Sequence, residues 1–206
     1  MYIPPAMAMT DESQVFDFIE RYPFGLLISN GEQLVPQASH LPFLLDREAR
    51  AVHCHLARAN DHWRLLDGQQ VRLVFSGPHA YISPLWYRNQ PSVPTWNYSA
   101  VHVLGRARCL PTSESIPLLM RMCERFDPEL TGRTEVLAPE YVERLSKAIV
   151  AVTIEIESLE AKVKYGQHKK AADQQGVFDG LSSSSSAEAQ GLAADMMRLD
   201  IGTGRD

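Results

Sequence analysis

Cysteine, excess positive charge and long apolar runs are scarce in this chain of 206 residues, and each scarcity excludes a class of protein. Its three cysteines, Cys54, Cys109 and Cys123, form neither a disulfide framework nor a closely spaced zinc site, and they fit a reducing cytoplasm. No stretch approaches the roughly 18 consecutive apolar residues of a membrane helix, and the first residues lack the pattern of a signal peptide. We therefore expect a cytoplasmic protein with no membrane partner.

The charge balance argues against broad contact with nucleic acid. Lysine and arginine total 20 against 25 aspartate and glutamate, which gives a formal net charge of -5. The most basic stretch, residues 162–170, is short, and no helix-turn-helix signature is present. The sequence therefore speaks against direct DNA binding.

Common catalytic and nucleotide-binding motifs are also missing. No serine lies in a Gly-x-Ser-x-Gly elbow, no cysteine has a catalytic context, and neither Gly-x-Gly-x-x-Gly nor a Walker loop occurs. His53 and His55 share one face of a predicted strand, but two ligands do not make a zinc site. We assign no catalytic residue and no metal ligand from the sequence.

What is present is a series of short strand patterns. Asn30-Gly31 lies between the strand patterns of residues 24–29 and 33–45 and favours a tight type I′ hairpin. Residues 77–94 have the composition of a long loop. Further strands are predicted at residues 51–56, 70–76, 95–110 and 149–156, and helices at residues 10–23, 58–66, 113–126 and from 139 to 145. The pattern predicts a mainly β fold, a β-barrel with peripheral helices.

The end of the chain has a different composition. The serine run at residues 182–186 cannot pack apolar surface, so we expect a flexible joint there. A weak terminal helix is predicted around residues 187–197. The expected organisation is one domain over residues 1–181, followed by a tail over residues 182–206.

Three polar or aromatic clusters lie at strand ends or in loops, where ligand-binding residues concentrate. Residues 38–42 offer a hydroxyl and an imidazole. Residues 53–60 lead from a strand into a predicted helix whose free backbone N–H groups suit a phosphate, and Arg58 adds a cationic fork. Residues 77–87 and 93–102 offer aromatic rings for stacking. Each cluster also has a structural explanation: a polar strand edge, a wall of hydrogen-bonding side chains, or a loop that packs its own aromatics.

Taken together, these clusters resemble the PaiB family, described as FMN-binding negative transcriptional regulators. The resemblance runs from residue 1 to about residue 181. It implies a split β-barrel related to pyridoxamine-phosphate oxidase, in which two subunits form a homodimer and FMN lies non-covalently in the groove between them. The matching blocks are Met1 to Pro4, Ser39 to Pro42, His55 to Asn60 with Trp63, Gly77 to Pro84 with Trp86 and Tyr87, and Val93 to Tyr98.

The resemblance also implies which residues bind FMN. Arg58 is the first phosphate candidate and Lys164 the second. Gly166 and His168 depart from the family, whose members usually carry Ser and Asn there, and a phosphate bond from that Ser would be lost. The complete expected set is Ser39, His40, Leu41, Pro42, His55, Leu56, Ala57, Arg58, Ala59, Asn60, Tyr81, Ser83, Trp96, Asn97, Lys164 and Gln167.

Three functions are open at this point. The first is a flavin-linked negative transcriptional regulator that acts indirectly or through a partner. The second is an FMN-dependent oxidoreductase acting on a small molecule or a nicotinamide, in which the protein orients the cofactor and substrate. The third is a haem-binding barrel, which is less favoured because none of the seven histidines stands out as an axial ligand.

Overall fold

The structure, a computed structural model, describes residues 1–31 and 35–205. Its strands are β1 (Phe24–Ser29), β2 (Gln37–Pro42), β3 (Leu44–Asp46), β4 (Ala51–Ala57), β5 (Gln70–Ile82), β6 (Thr95–Cys109) and β7 (Ile149–Lys164). Its α-helices are α1 (Glu12–Arg21), α2 (Thr112–Phe126), α3 (Pro139–Ser146), α4 (Ala171–Ser182) and α5 (Ala187–Leu199). Short 3-10 helices lie at Pro5–Met7, Asp61–Leu65, Pro84–Trp86 and Pro128–Leu130. No helix of the described residues is long and apolar enough to cross a bilayer.

The strands form one sheet in the order β2-β1-β5-β6-β7-β4-β3. The pairs β1–β2, β1–β5, β3–β4 and β4–β7 are antiparallel. The expected class, mainly β with peripheral helices, is therefore confirmed. The helices predicted at residues 10–23, 113–126 and 139–145 are confirmed as α1, α2 and α3.

Two strands are longer than their sequence patterns. The strand predicted at residues 70–76 continues to Ile82, and the one predicted at residues 149–156 continues to Lys164. Gly77 and Pro78 suggested a loop, yet they lie inside β5. β1 pairs with β5 only as far as Phe75. Pro78, which has no backbone N–H group, lies beyond this point and therefore removes no hydrogen bond to β1.

The first hairpin is confirmed, but its predicted tight turn is wrong. Ser29 pairs with Gln37, so residues 30–36 connect the strands, which is too long for a two-residue type I′ loop. Residues 32–34 of the predicted second strand lie outside the described residues. The rest of that predicted strand forms two strands, β2 and β3, which are separated at Phe43. The N–H of Phe43 donates to the carbonyl of Pro23 at 2.8 Å.

One compact unit comprises residues 16–75 and 102–159. In β4 the buried residues Cys54 and Leu56 alternate with the half-buried His53 and His55, as the two faces of a strand require. A cluster on α2 and the strands covers the face opposite to Cys54. Its buried members are Leu44, Leu118, Met122 and Ala151.

The other unit comprises residues 1–15, 76–101 and 160–206. The terminal helix predicted around residues 187–197 is confirmed as α5, and it packs with α4, a helix that the sequence reasoning did not predict. The two helices share a buried cluster with the strand ends. Its buried members include Tyr87, Tyr165, Phe178, Leu181, Leu192 and Met196. The domain boundary near residue 181 stays a prediction.

Trp86 packs closely against α4 because this helix carries two glycines. A Cβ atom added at Gly176 would lie 2.1 Å from the Trp86 carbonyl oxygen, and one added at Gly180 would lie 2.4 Å from the Trp86 ring. Asp173, one turn earlier, accepts the backbone N–H groups of Arg88 and Asn89, both at 2.8 Å. The segment after β5 is therefore held on α4 by shape and by hydrogen bonds.

We expect Gly176→Ala to destabilise the protein by about 1–3 kcal/mol, since the new Cβ meets backbone that cannot swing away. Gly191→Ala on α5 is the matched control: its Cβ meets nothing within 4 Å. That substitution should stabilise by roughly 0.5–1 kcal/mol through helix propensity. Urea unfolding of both variants measures the difference, and equal stability of the two would contradict this packing.

Candidate functional site

Arg58 follows β4 directly and is fixed by the start of β7. Its backbone N–H donates to the carbonyl of Ala148 at 2.8 Å. Its Nε donates to the carbonyl of Lys147 and its Nη2 to the carbonyl of Ile149, both at 3.0 Å. These bonds fix the orientation of the exposed side chain. The remaining guanidinium N–H groups stay available for a bidentate contact with an anion.

The backbone after Arg58 differs from the expected helix start. The structure places a five-residue 3-10 helix at Asp61–Leu65 instead. The N–H of Asn60 donates to Ala57, and the N–H of His62 donates to the Asn60 side chain at 3.2 Å. The amides of Asn60 and His62 are therefore engaged within the chain, and the phosphate contact at this corner stays a prediction.

Ser39 belongs to a buried chain of polar side chains that the sequence did not reveal. His62 contacts Ser39 Oγ through Nδ1 at 2.8 Å and Ser29 Oγ through Nε2 at 2.9 Å. Asn60 Nδ2 also donates to Ser39 Oγ, at 3.1 Å. Burial lowers the pKa of His62, so the neutral ring, with one N–H and one bare nitrogen, can accept a hydrogen bond from one serine and donate one to the other.

His55 and His53 face away from the β4 core residues. Burial lowers the pKa of both rings. His53 Nδ1 contacts Thr153 Oγ1, and its Nε2 lies 3.9 Å from Asp46. His55 Nδ1 is buried and has no hydrogen-bond partner among residues 1–31 and 35–205. A buried ring nitrogen without a partner is costly, so His55 offers an unused polar contact.

The other expected residues of this unit occupy different environments. His40 points away from Ser39 because neighbours alternate along a strand, and its exposed ring stacks on Phe24 at a centroid distance of 6.2 Å. Leu56 is 1% exposed and belongs to the core. Leu41 and Pro42 are half-buried, whereas Ala57, Ala59 and Asn60 are exposed at the corner.

In the unit containing residues 76–101 and 160–206, four expected residues make internal contacts. Ser83 accepts the N–H of Leu85 at 3.2 Å and caps a 3-10 helix. Gln167 donates to the carbonyls of Ala6 and Val163 and accepts the N–H of Tyr165. Lys164 donates to Thr95 Oγ1 at 2.6 Å and to the Trp96 carbonyl at 2.7 Å, and Asn97 is placed here by its burial, being 3% exposed.

Burial lowers the pKa of Lys164, and its bonds to Thr95 and Trp96 hold the ammonium on β6. The neighbouring Gly166 has a φ of 83°, a conformation that glycine adopts without strain. A serine in this turn would be strained. The backbone conformation of this turn therefore suits the glycine that this chain carries.

Tyr81 and Trp96 are exposed by 49% and 53% of their surface. Trp96 lies between Tyr81 and His79, with ring centroids 6.4 Å and 5.7 Å away. A cavity of about 490 Å³ opens beside these rings. His79 was not among the expected site residues, although it shares a strand face with Tyr81, two positions away.

No group of three His, Cys, Asp or Glu side chains is arranged to hold a metal ion within the part of the chain that the structure describes. His62 and His53 instead form hydrogen bonds with Ser29, Ser39 and Thr153. The position of His62 in the polar segment after Asn60 was a signal that it belongs to the site. Its serine partners lie 23 and 33 residues away, so the sequence did not reveal its hydrogen bonds.

We expect the free energy of unfolding to fall as the pH drops through about 6.5, because the unfolded chain binds protons on histidines whose folded pKa is lowered. In His62→Gln, which keeps donor and acceptor groups without titrating, the decrease between pH 7.5 and 5.5 should be shallower. Urea unfolding at several pH values gives the slopes, with His40→Gln as the control. Identical slopes for the wild type and His62→Gln would refute the buried neutral assignment.

Comparison with solved structures shows the fold. The flavocytochrome Anf3 of Azotobacter vinelandii has a TM-score of 0.62 and 19% identity, covering 77% of this chain and 69% of its own. An FAD- and haem-binding protein of Mycobacterium smegmatis has a TM-score of 0.61 and 16% identity, covering 78% and 74% of the two chains. These similarities show that the fold is a split β-barrel.

Comparison of sequences shows the family. The model of the family described as "Putative FMN-binding domain" matches residues 1–158. Protease synthase and sporulation protein PAI 2 of Bacillus subtilis is 32% identical over 198 residues, which cover 94% of this chain and 95% of that protein. The match extends over both the corner at Arg58 and the aromatic residues of β5 and β6. This chain therefore belongs to the PaiB family of the FMN-binding domain class.

Proposed function

We propose that this protein binds FMN non-covalently as a cytoplasmic homodimer and acts as a negative transcriptional regulator through a flavin-linked signal. The observation that carries the flavin site is the corner at the end of β4. There Arg58 is held by carbonyl groups with N–H groups to spare, and three residues before it His55 Nδ1 is buried without a partner among the described residues.

Arg58 is the proposed phosphate ligand. A guanidinium matches the geometry of a phosphate better than an ammonium does, and its planar fork is already positioned by Lys147 and Ile149. Its face also packs on Trp63 at 5.6 Å, which limits its freedom further. Little side-chain entropy then remains to be lost when the anion binds.

His55 and the serine network are the proposed contacts for the ring system. The isoalloxazine edge carries carbonyl and N–H groups, so it can pair with a neutral imidazole. The hydrogen bonds of Ser39 to His62 and Asn60 make it a support for the pocket wall rather than a freely rotating donor. His40, Leu41 and Ala57 stay proposed contacts on the exposed side of the corner.

The choice of FMN over FAD or haem is supported by the family description and by the composition of the corner. A single arginine suits one terminal phosphate, whereas the two solved structures of similar fold come from a flavocytochrome and an FAD- and haem-binding protein. His55 Nδ1 and the His62 ring are buried, and the exposed ring of His40 stacks on Phe24, so none of these three histidines is placed as an evident axial iron ligand.

The regulatory part of the proposal draws on the relative in Bacillus subtilis, whose name refers to protease synthesis and sporulation. With a net charge of -5, an indirect effect through a partner fits better than direct contact with DNA phosphates. Two copies per functional molecule would let residues of a second subunit complete the flavin pocket.

We expect Arg58→Ala to weaken FMN binding by about 10- to 100-fold, the loss of one or two charge-assisted hydrogen bonds. Riboflavin lacks the phosphate, so its affinity should stay unchanged in the same variant. Quenching of flavin fluorescence during titration of the apoprotein measures both affinities.

Arg64→Ala is the matched control, because Arg64 also stacks on Trp63, at 5.4 Å, but its guanidinium pairs with Asp61. It should leave FMN affinity near the wild-type value. Equal losses for FMN and riboflavin in Arg58→Ala would indicate a damaged fold, and no FMN binding by the wild type would end the proposal.

A regulator and an oxidoreductase differ in their response to nicotinamides. For a regulator, we expect that anaerobic mixing of the FMN-loaded protein with NADH or NADPH leaves the flavin absorbance near 450 nm, a typical flavin band, unchanged within seconds. Rapid bleaching with turnover in air would instead assign the protein to the FMN-dependent oxidoreductases. A sequence-specific gel shift that survives added salt would contradict the indirect mode of regulation.

A further inference from the structure

A second candidate site lies beside the ends of β5 and β6, in the unit that holds residues 76–101 and 160–206. It is a cavity of about 490 Å³, within the range of pockets for small molecules. Side chains of β5 and β6 form one wall, and the segments before and after the start of α5 form the other. The residues that determine its chemistry are His79, Tyr81, Trp86, Trp96, Ser186 and Glu188.

Aromatic rings dominate the first wall. Trp96 stands at its centre, with Tyr81 edge-on at 6.4 Å and His79 tilted at 5.7 Å. About half of the surface of Trp96 and Tyr81 is exposed, 53% and 49%, although large rings gain from burial. The faces of these rings are negative, and tryptophan attracts a cation most strongly.

A carboxylate stands on the opposite wall. Glu188 lies in the first turn of α5, where the hydroxyl of Ser186 donates to it at 2.7 Å. This hydrogen bond from Ser186 lowers the pKa of Glu188, so it is ionised at neutral pH. No lysine or arginine lines the cavity among the residues that the structure describes.

The helix start does not make this an anion site. Ser186 already caps α5 by accepting the N–H of Ala189 at 3.4 Å, and Glu188 places a negative charge beside the positive end of the helix dipole. The lining is therefore electron-rich on both walls: ring faces on one and a carboxylate on the other.

We propose that this cavity binds a small organic cation, an alkylated or quaternary ammonium compound that packs on Trp96 and pairs with Glu188. The ring faces supply the apolar and cation–π contact, and the carboxylate supplies the charge. Arg58 and His55, which carry the proposed flavin site, do not line this cavity. The cation site does not depend on flavin binding.

The test uses choline and its neutral isostere 3,3-dimethylbutan-1-ol, which differ only in the charged nitrogen. Isothermal titration of the full-length protein at pH 8, where histidine is ordinarily neutral, should show choline binding at least about fivefold more tightly. Equal affinities, or no choline binding at concentrations up to tens of millimolar, would overturn the proposal.

Two variants locate the site. Glu188→Gln should weaken choline by roughly threefold or more and leave the isostere unchanged, and Trp96→Leu should weaken both. Glu140→Gln is the matched control, because Glu140 occupies the same position in α3 that Glu188 occupies in α5. Circular dichroism checks that each variant is folded, and since Glu188 is exposed its substitution leaves the packed interior intact.

Two further outcomes would also overturn the proposal. Competition between FMN and choline for the wild-type protein would assign these rings to the flavin instead of a separate ligand. Failure to bind choline, together with a shift from dimer to monomer in Trp96→Leu, would assign them to the contact between two copies. A protein that binds choline but not FMN would reject only the flavin proposal.

Discussion

The bonds of Arg58 hold together the two strand ends at which the candidate site lies. Its N–H and guanidinium groups bind the carbonyls of residues 147–149, which ties the end of β4 to the start of β7. Trp63 in turn donates its indole N–H to the Arg58 carbonyl at 3.0 Å. The short helix with Trp63 also carries His62, which reaches β1 and β2 through Ser29 and Ser39. Arg58 thus joins the end of β4 to the start of β7 directly, and through Trp63 it is linked to the short helix that carries His62.

The fold class could be predicted from local sequence patterns, whereas the ends of the strands and helices depended on contacts between residues far apart in the sequence. The alternation of residue types over residues 51–56 predicted β4, and the structure shows the matching alternation of buried and half-buried side chains. Asn30-Gly31 favoured a tight turn, but the pairing of Ser29 with Gln37 required a longer connection. Helix α4 escaped prediction because Gly176 and Gly180 lower helix propensity, and both are needed for contact with Trp86. No local pattern records such a contact.

The chemical groups of the candidate site were easier to predict from the sequence than the hydrogen-bond partners of those groups. Arg58 stands at an exposed corner, as its place between a strand and a polar segment indicated. The bonds that direct it come from residues about 90 positions later, which no spacing rule could supply. Lys164 and Gln167 were expected to face a ligand, yet the structure gives them internal partners. The sequence shows which groups are polar, and only tertiary packing shows which of them remain unpaired.

The close packing of Trp86 on the two α4 glycines means that the end of the matched family model is not a physical boundary. The model ends at residue 158, but Trp86 packs with its carbonyl oxygen on Gly176 and with its ring on Gly180. A hybrid protein assembled by exchanging only the matched segment would bring a foreign indole against an unrelated helix. In an exchange of segments, the segment after β5 and α4 would therefore have to be transferred together.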